Sequence, residues 1–233
     1  MKEIETLSLD INGYEIRIIV TDPLWKQNCY LVTKKKNGEQ ILIDPGLRAD
    51  HIIKTIQENG SGTLKSLLLT HGHFDHIGAV KEISEEFNVP CIIHELDYKL
   101  LRQATMYVLR FGGRHFSIPD DVITFSRMPE LEFISNFKVR TILTPGHTKG
   151  SVCYRFDGFV FTGDALLYES VGRADLPGSD LLILRESIDM LLDQESENVT
   201  IFSGHGRQWT MLEAKSWWKQ ARLSMPQHNM FLK

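Results

Sequence analysis

Seven side chains of metal-ligating type follow apolar, strand-like runs in this chain. His71, His73, Asp75 and His76 lie in THGHFDHIG after SLLL, and His147 lies in TPGHTKGS after VRTIL. Asp164 closes FVFTGD, and His205 follows TIFSG. Strand ends in a layered fold send their loops to a common edge, where groups distant in sequence converge. The spacing therefore asks for a sheet-based architecture whose strand ends share one rim.

Five imidazoles and two carboxylates form a ligand set suited to a pair of borderline divalent ions, with zinc first and iron or manganese as alternatives. His71 and His73 are two residues apart, so extended backbone turns both to one side. Asp75 and His76 come after a bend at the start of a helix, which turns them to a neighbouring position. Gly72 allows the tight turn between. The expected assignment puts His71, His73 and His147 on one ion, Asp75, His76 and His205 on the second, and Asp164 between them. Two such ions outweigh two carboxylates and a hydroxide, leaving a positive site suited to an anionic substrate and a developing oxyanion. Metal-bound imidazoles need acceptors on their second nitrogen. Asp44, at the end of ILIDPG, is one candidate for that role, and a turn former is the other.

Strand-like runs occur at 4–10, 14–20, 28–33 and 40–45, with Asn12-Gly13 as a hairpin signal between the first two. A helix is expected over 49–58, with Ile52, Ile53 and Ile56 on one face. A short apolar strand at 66–69 leads into the histidine cluster. Then come a helix over 76–87, a strand at 90–94 and a helix over 95–106. Residues 107–135 read as irregular, broken by Gly112-Gly113, Pro119 and Pro129. Strands at 137–144, 151–156 and 159–162, a helix over 181–193, a strand at 199–203 and a helix over 210–223 complete the chain. The order suggests two packed sheets with helices on the outer faces, in a single domain over 1–233.

The composition narrows the function classes. A net charge of −4 over 233 residues gives no overall pull toward nucleic acid or an anionic membrane. The N-terminal MKEIETLSLDINGYE lacks the apolar core of a signal peptide, and no run reaches the roughly 18 apolar residues of a membrane span. Cys29, Cys91 and Cys153 sit apart in apolar runs, as buried thiols of a reducing compartment do. The expectation is a cytoplasmic protein acting on a small molecule, without nucleic acid or membrane as partner. Oligomeric state is not readable.

THGHFDHIGA, TPGHTKGS, FTGDALL and SGHG, in that order and with NCYLV and ILIDPG before them, resemble the motifs of the metallo-β-lactamase superfamily. The resemblance implies an α+β fold, a four-layered αββα sandwich with the metals at one edge of the sheets. Within the superfamily, TPGHTKGS, FTGDALL and VGRADLPGSD (171–180) are most similar to the small glyoxalase-II-like hydrolases. That implies hydrolysis of a thioester, with S-lactoylglutathione as archetype, by attack of a metal-bridging hydroxide while a metal ion polarises the carbonyl. Asp75 would be the catalytic residue that orients the nucleophile.

Larger members carry an added helical domain that helps hold glutathione. Here 28 residues follow His205, so glutathione specificity does not carry over. Lys215, Lys219 and Arg222 in KSWWKQARL read as solvated charges beside packed Trp217 and Trp218. Residues 107–135 are the candidate substrate-facing lid, where Tyr107, Phe111, Arg114, His115 and Phe116 either line the lid or, for the aromatics, pack in the core. Arg173 either binds a substrate carboxylate or pairs with Asp175 in a loop that caps the next helix through Ser179 or Asp180. The main rival is a persulfide dioxygenase, a similar family that uses one iron(II), here on His71, His147 and Asp164. A lactone or other ester hydrolase would use the same site. β-Lactam hydrolysis and nuclease activity fit less well, for want of an export signal and of a basic excess.

Overall fold

The computed structural model describes residues 6–59, 62–110, 116–126 and 137–225. Where the sequence reads as one domain over 1–233, contacts group the chain into two compact units. The first comprises Met1–Arg127 with Glu132–Phe137, the second Met128–Leu131 with Lys138–Lys233.

The first unit is built on a seven-stranded sheet whose spatial order follows the sequence. β1 (Thr6–Ile11), β2 (Tyr14–Val20), β3 (Asn28–Lys34) and β4 (Glu39–Ile43) form an antiparallel meander. Asn12 and Gly13 both take left-handed φ, 45° and 85°, as a two-residue hairpin loop requires. β5 (Thr63–Leu68), β6 (Cys91–His94) and β7 (Val122–Phe125) then add parallel to β4. Helical crossovers join these parallel strands: α1 (Ala49–Glu58), then α2 (Phe74–Ile77) with α3 (Val80–Phe87), then α4 (Glu95–Arg110). Ile52 and Ile56 of α1, Val80 and Ile83 of α3, and Leu101, Ala104 and Val108 of α4 share one apolar cluster. Leu31, Leu42, Leu67 and Ile93 belong to it from the sheet.

Three expectations are corrected here. The helix over 76–87 is two helices, because the chain breaks at Gly78-Ala79. The Ala79 N–H donates to the Pro45 carbonyl, and a Cβ on Gly78 would meet Leu47 at 2.5 Å. The helix that starts at 95 runs on to Arg110, past the expected end at 106. Part of the segment read as irregular is β7, paired with β6 from Cys91↔Val122 to His94↔Phe125.

The second unit carries a five-stranded sheet of order β14-β13-β10-β9-β8. Its strands are β8 (Arg140–Leu143), β9 (Val152–Phe156), β10 (Phe159–Gly163), β13 (Thr200–Ser203) and β14 (Trp209–Thr210). A separate two-stranded ribbon, β11 (Leu166–Leu167) and β12 (Ser170–Val171), follows Asp164. β11, β12 and β14 are too short to show an apolar period. α5 (Leu181–Gln194) and α6 (Met211–Ser224) pack with Val160, Ile201 and Trp209 in one cluster. Asp180 caps α5 by accepting from the N–H groups of Leu182 and Ile183. Thr210 and Glu213 form a reciprocal capping box on α6. Trp218 and Arg222 of α6 both donate to Asp189 of α5, and the Lys215 ammonium donates to the Glu195 carbonyl. Lys215 and Arg222 are thus spoken for inside the unit. Among the described residues, no helix is long and apolar enough to cross a membrane.

All three thiols are buried. Burial, with Asp44 nearby, pushes Cys29 and Cys91 well up, and burial raises Cys153 to about 12. The thiolate is the reactive form. At pH 8 the folded protein is expected to leave Ellman's reagent unreacted, and to release three thiols per chain once denatured. Rapid reaction of a native thiol would contradict this packing.

Candidate metal centre

The first unit gathers four of the expected ligands around the ends of parallel strands. β4 and β5 run side by side with Ile43 opposite Leu68, so Asp44 and Thr70 emerge as neighbours. The Thr70 N–H donates to Asp44 Oδ1 at 2.7 Å and the Thr70 hydroxyl to Oδ2 at 2.6 Å. His76 Nδ1 lies 2.9 Å from the same Oδ2. A carboxylate only accepts, so Nδ1 carries the proton and Nε2 presents its lone pair. The Thr70 hydroxyl has spent its hydrogen on Asp44, so it accepts from His71 Nδ1 at 3.0 Å. His71 is thereby held in the same tautomer. One buried carboxylate orients two imidazoles, and of the two roles open for Asp44 the orienting one is filled.

The rings are close together. His71 lies 4.2 Å from His76 and 4.8 Å from His73, centroid to centroid. His71, His76 and Asp75 are buried. His73 ends the extended segment as N-cap of α2, with φ −75° and ψ 147°, and Asp75 and His76 lie inside that helix. The expected change from extended chain to helix falls between the two pairs of ligands. His76 Nε2 is 3.9 Å from Asp75 Oδ2.

Support comes from residues that sequence reasoning passed over. The Gln27 amide donates to the carbonyls of Asn28 and Asp44, and its Oε1 accepts from the Thr21 hydroxyl. Gly46 lies within this knot: a Cβ there would meet Asp75 O and Gln27 Oε1 at 2.2 Å. Asp44 itself sits at φ 49°, in the left-handed region that short polar side chains tolerate. No spacing in the sequence marks Gln27 or Thr21 for this work.

The second unit gathers the other three. β10 and β13 are parallel, with Gly163 opposite Ser203 and the Gly204 N–H on the Gly163 carbonyl. Asp164 and His205 therefore follow adjacent strand ends. β8 runs the same way, since each of its links through β9 is antiparallel, and His147 follows its end. Asp164 Oδ2 lies 3.7 Å from His147 Nε2 and 3.5 Å from His205 Nε2. His147 Nδ1 donates to the Arg173 carbonyl at 2.7 Å, so in the neutral ring its Nε2 lone pair faces the Asp164 carboxylate. Two acceptors turned toward each other fit a cation between them. Two ligand atoms about 2.1 Å from one ion at a tetrahedral angle lie about 3.4 Å apart, close to both separations. The donor set of the second unit therefore fits a divalent ion of the zinc or iron type.

The GRADLPGSD loop serves this half through its backbone. A Cβ on Gly172 would strike the Asp164 carbonyl, and the Arg173 carbonyl holds His147. The Arg173 guanidinium pairs twice with Asp175, at 2.9 and 2.8 Å, on an exposed surface. That is the structural arrangement of the two weighed for Arg173, with Asp180 as the cap of α5. Gly146, at φ 130°, packs against the Leu184 backbone. Of the residues proposed to line a lid, Tyr107 lies on α4 against the core of the first unit and Phe116 is buried in that core. Phe111, Arg114 and His115 lie outside the described residues.

A family model described as the metallo-β-lactamase superfamily matches residues 22–205. The chain belongs to that superfamily. A probable metallo-hydrolase of Methanocaldococcus jannaschii is 33% identical over 203 residues, spanning 85% of this chain and 92% of that protein. The hydroxyacylglutathione hydrolase GloC of Haemophilus influenzae is 32% identical over 207 residues, spanning 84% and 93%. Among solved structures, the B3 metallo-β-lactamase BLEG-1 superposes with a TM-score of 0.79 at 30% identity, over 94% of this chain and 99% of that one. A protein crystallised in a di-iron-bound form gives 0.75 at 31% identity, over 84% and 95%. The metallo-β-lactamase fold, an α+β sandwich, is thereby established, as expected from the motifs.

Asp44→Asn keeps the acceptor for the Thr70 N–H but turns an amide donor toward His76. The His76 proton then moves to Nε2, which can no longer bind metal. Zinc affinity, read by competition with a chromophoric chelator, is expected to fall by about 10- to 100-fold. Unchanged affinity would remove Asp44 from the centre.

Proposed function

We propose that the chain is a metal-dependent thioester hydrolase of the glyoxalase II kind, with S-lactoylglutathione as the model substrate. The carrying observation is Asp164, whose Oδ2 lies within 3.7 Å of the Nε2 atoms of two histidines from different strand ends. A carboxylate so placed suits a bridge between two ions. In this proposal His71, His73 and His147 hold one ion, Asp75, His76 and His205 the other, and the two units work as one domain. Zinc is the first choice. When bound, the ions supply a nucleophile from water at neutral pH and polarise the scissile carbonyl.

The side chains supply order and charge. Asp44, directly and through Thr70, and the Arg173 carbonyl hold the neutral rings of His76, His71 and His147 in the tautomer that leaves Nε2 for a metal ion. Asp75, buried beside His76, would accept a hydrogen bond from the nucleophile and so fix its direction. Thiolate is a good leaving group, so no strong general acid is required. The similarity to a hydroxyacylglutathione hydrolase at 32% identity supports the thioester over a lactone or another ester. A small anionic substrate suits the positive residual charge of such a site, and neither nucleic acid nor membrane is asked for. Tyr107, Phe111, Arg114 and Arg173 remain the proposed substrate neighbours, Arg173 with its guanidinium already engaged by Asp175.

The oxidative alternative uses a single iron(II) on His71, His147 and Asp164. The shared ligand types allow it; the similar protein crystallised in a di-iron-bound form speaks for iron, but for two ions rather than one. Purified protein is expected to cleave S-lactoylglutathione without consuming oxygen when offered glutathione persulfide. Oxygen uptake without thioester cleavage would reverse the choice. Asp164→Ala should lower both metal equivalents, whereas His205→Ala should mainly empty one. Two ions retained in Asp164→Ala would sink the bridge.

A further inference from the structure

The turn between His71 and His73 is fastened to α4 at a point that none of the ligand motifs contains. The Gly72 N–H donates to Asp97 Oδ2 at 2.9 Å, and Asp97 is buried. Gly72 lies so close to the helix that a Cβ would meet the Leu101 amide nitrogen at 2.8 Å and the Asp97 carbonyl at 3.1 Å. Asp97 follows the end of β6, which pairs with β5, so it rises beside the loop that β5 delivers. Its place in the first turn of α4 sets the carboxylate among the helix's leading amides, where a negative charge is favoured.

We propose that Asp97 is a positioning residue for the metal centre: by holding the Gly72 amide it fixes the peptide between His71 and His73. That peptide sets the directions in which the two Cα–Cβ bonds leave the chain. His71 has a second restraint in Thr70. His73 follows the same peptide directly, as the N-cap of α2, so the backbone before it helps set its aim. A carboxylate accepting a buried amide makes a charge-assisted bond, stronger than a neutral one. The role of helix-start acid alone would leave the ligand turn indifferent to Asp97.

The inference rests on the metal-centre reading above but not on the identity of the substrate. The test is zinc titration of the full apo-chain against a chromophoric chelator, in the parent and three variants, with the melting temperature of each apo-protein. Asp97→Ala is expected to bind zinc about 10- to 100-fold more weakly. Asp97→Asn, which keeps an acceptor but loses its charge, should be about 3- to 10-fold weaker. The comparison is Asp189→Asn, which weakens the α5–α6 tie to Trp218 and Arg222. It should lower the melting temperature while holding zinc within about twofold of the parent, the scatter expected of a substitution that shares no partner with the ligand turn.

A graded loss from parent to Asn to Ala, with Asp189→Asn unaffected, supports the assignment. Should Asp97→Ala fail to fold, Asp97→Asn alone decides. Parent-like affinity in either soluble Asp97 variant overturns it, as does an equal loss in Asp189→Asn, which would mark a general effect of instability. A parent chain that takes up no zinc, iron or manganese would bring down the metal-centre reading and the proposal with it.

Discussion

In the first unit the candidate metal-binding groups are ordered around a buried carboxylate. Asp44 accepts three hydrogen bonds, from the Thr70 amide, the Thr70 hydroxyl and His76. Hydrogen bonds to a charged group contribute about 1.5–3 kcal/mol each, and burying an ion costs several kcal/mol. Three together offset that cost, and losing one leaves a deficit. The carboxylate is therefore held in place by the same groups that it orients. Its position at the end of β4, next to the end of β5, follows from their parallel pairing. The layered architecture and the ligand geometry are thus two consequences of one register.

The second unit solves the same problem with backbone. There His147 is held by the Arg173 carbonyl, and Asp164 and His205 are set side by side by the pairing of β10 with β13. Glycines do the close work at both places: Gly72 lies on α4, Gly146 on α5 and Gly172 on the Asp164 carbonyl. The loops that carry His71 to His76 and His147 are each seated near the start of a helix, so their order is inherited from the rigid elements beneath them.

Much of this was legible in the chain. The Asn12-Gly13 turn, the strand at 14–20 and the helix at 49–58 have strong local signals, and they fold as those signals ask. The candidate ligands stand out in the chain because imidazole and carboxylate at strand ends are hard to place otherwise. What was not legible has a common cause. The break at Gly78-Ala79 is imposed by the Pro45 carbonyl and Leu47, residues more than thirty positions away. β7 gains strand form from pairing with β6, and its pattern of exposed Thr124 and Ile123 carries little apolar period. Arg173 acts at His147 through its carbonyl, which every residue has, so no side chain marks that contact in the sequence. Gln27 and Asp97 act on backbone groups of other segments and bear no motif. Asp97 shares one hint with the ligands, a polar side chain just beyond an apolar strand.

The central claim is that these seven side chains hold two divalent ions in one chain. The most direct test is elemental analysis of the protein purified without added metal, set against its molar concentration. The account predicts close to two equivalents of zinc or a similar ion per chain. A value near one, or none after attempted loading with zinc, iron or manganese, would contradict it.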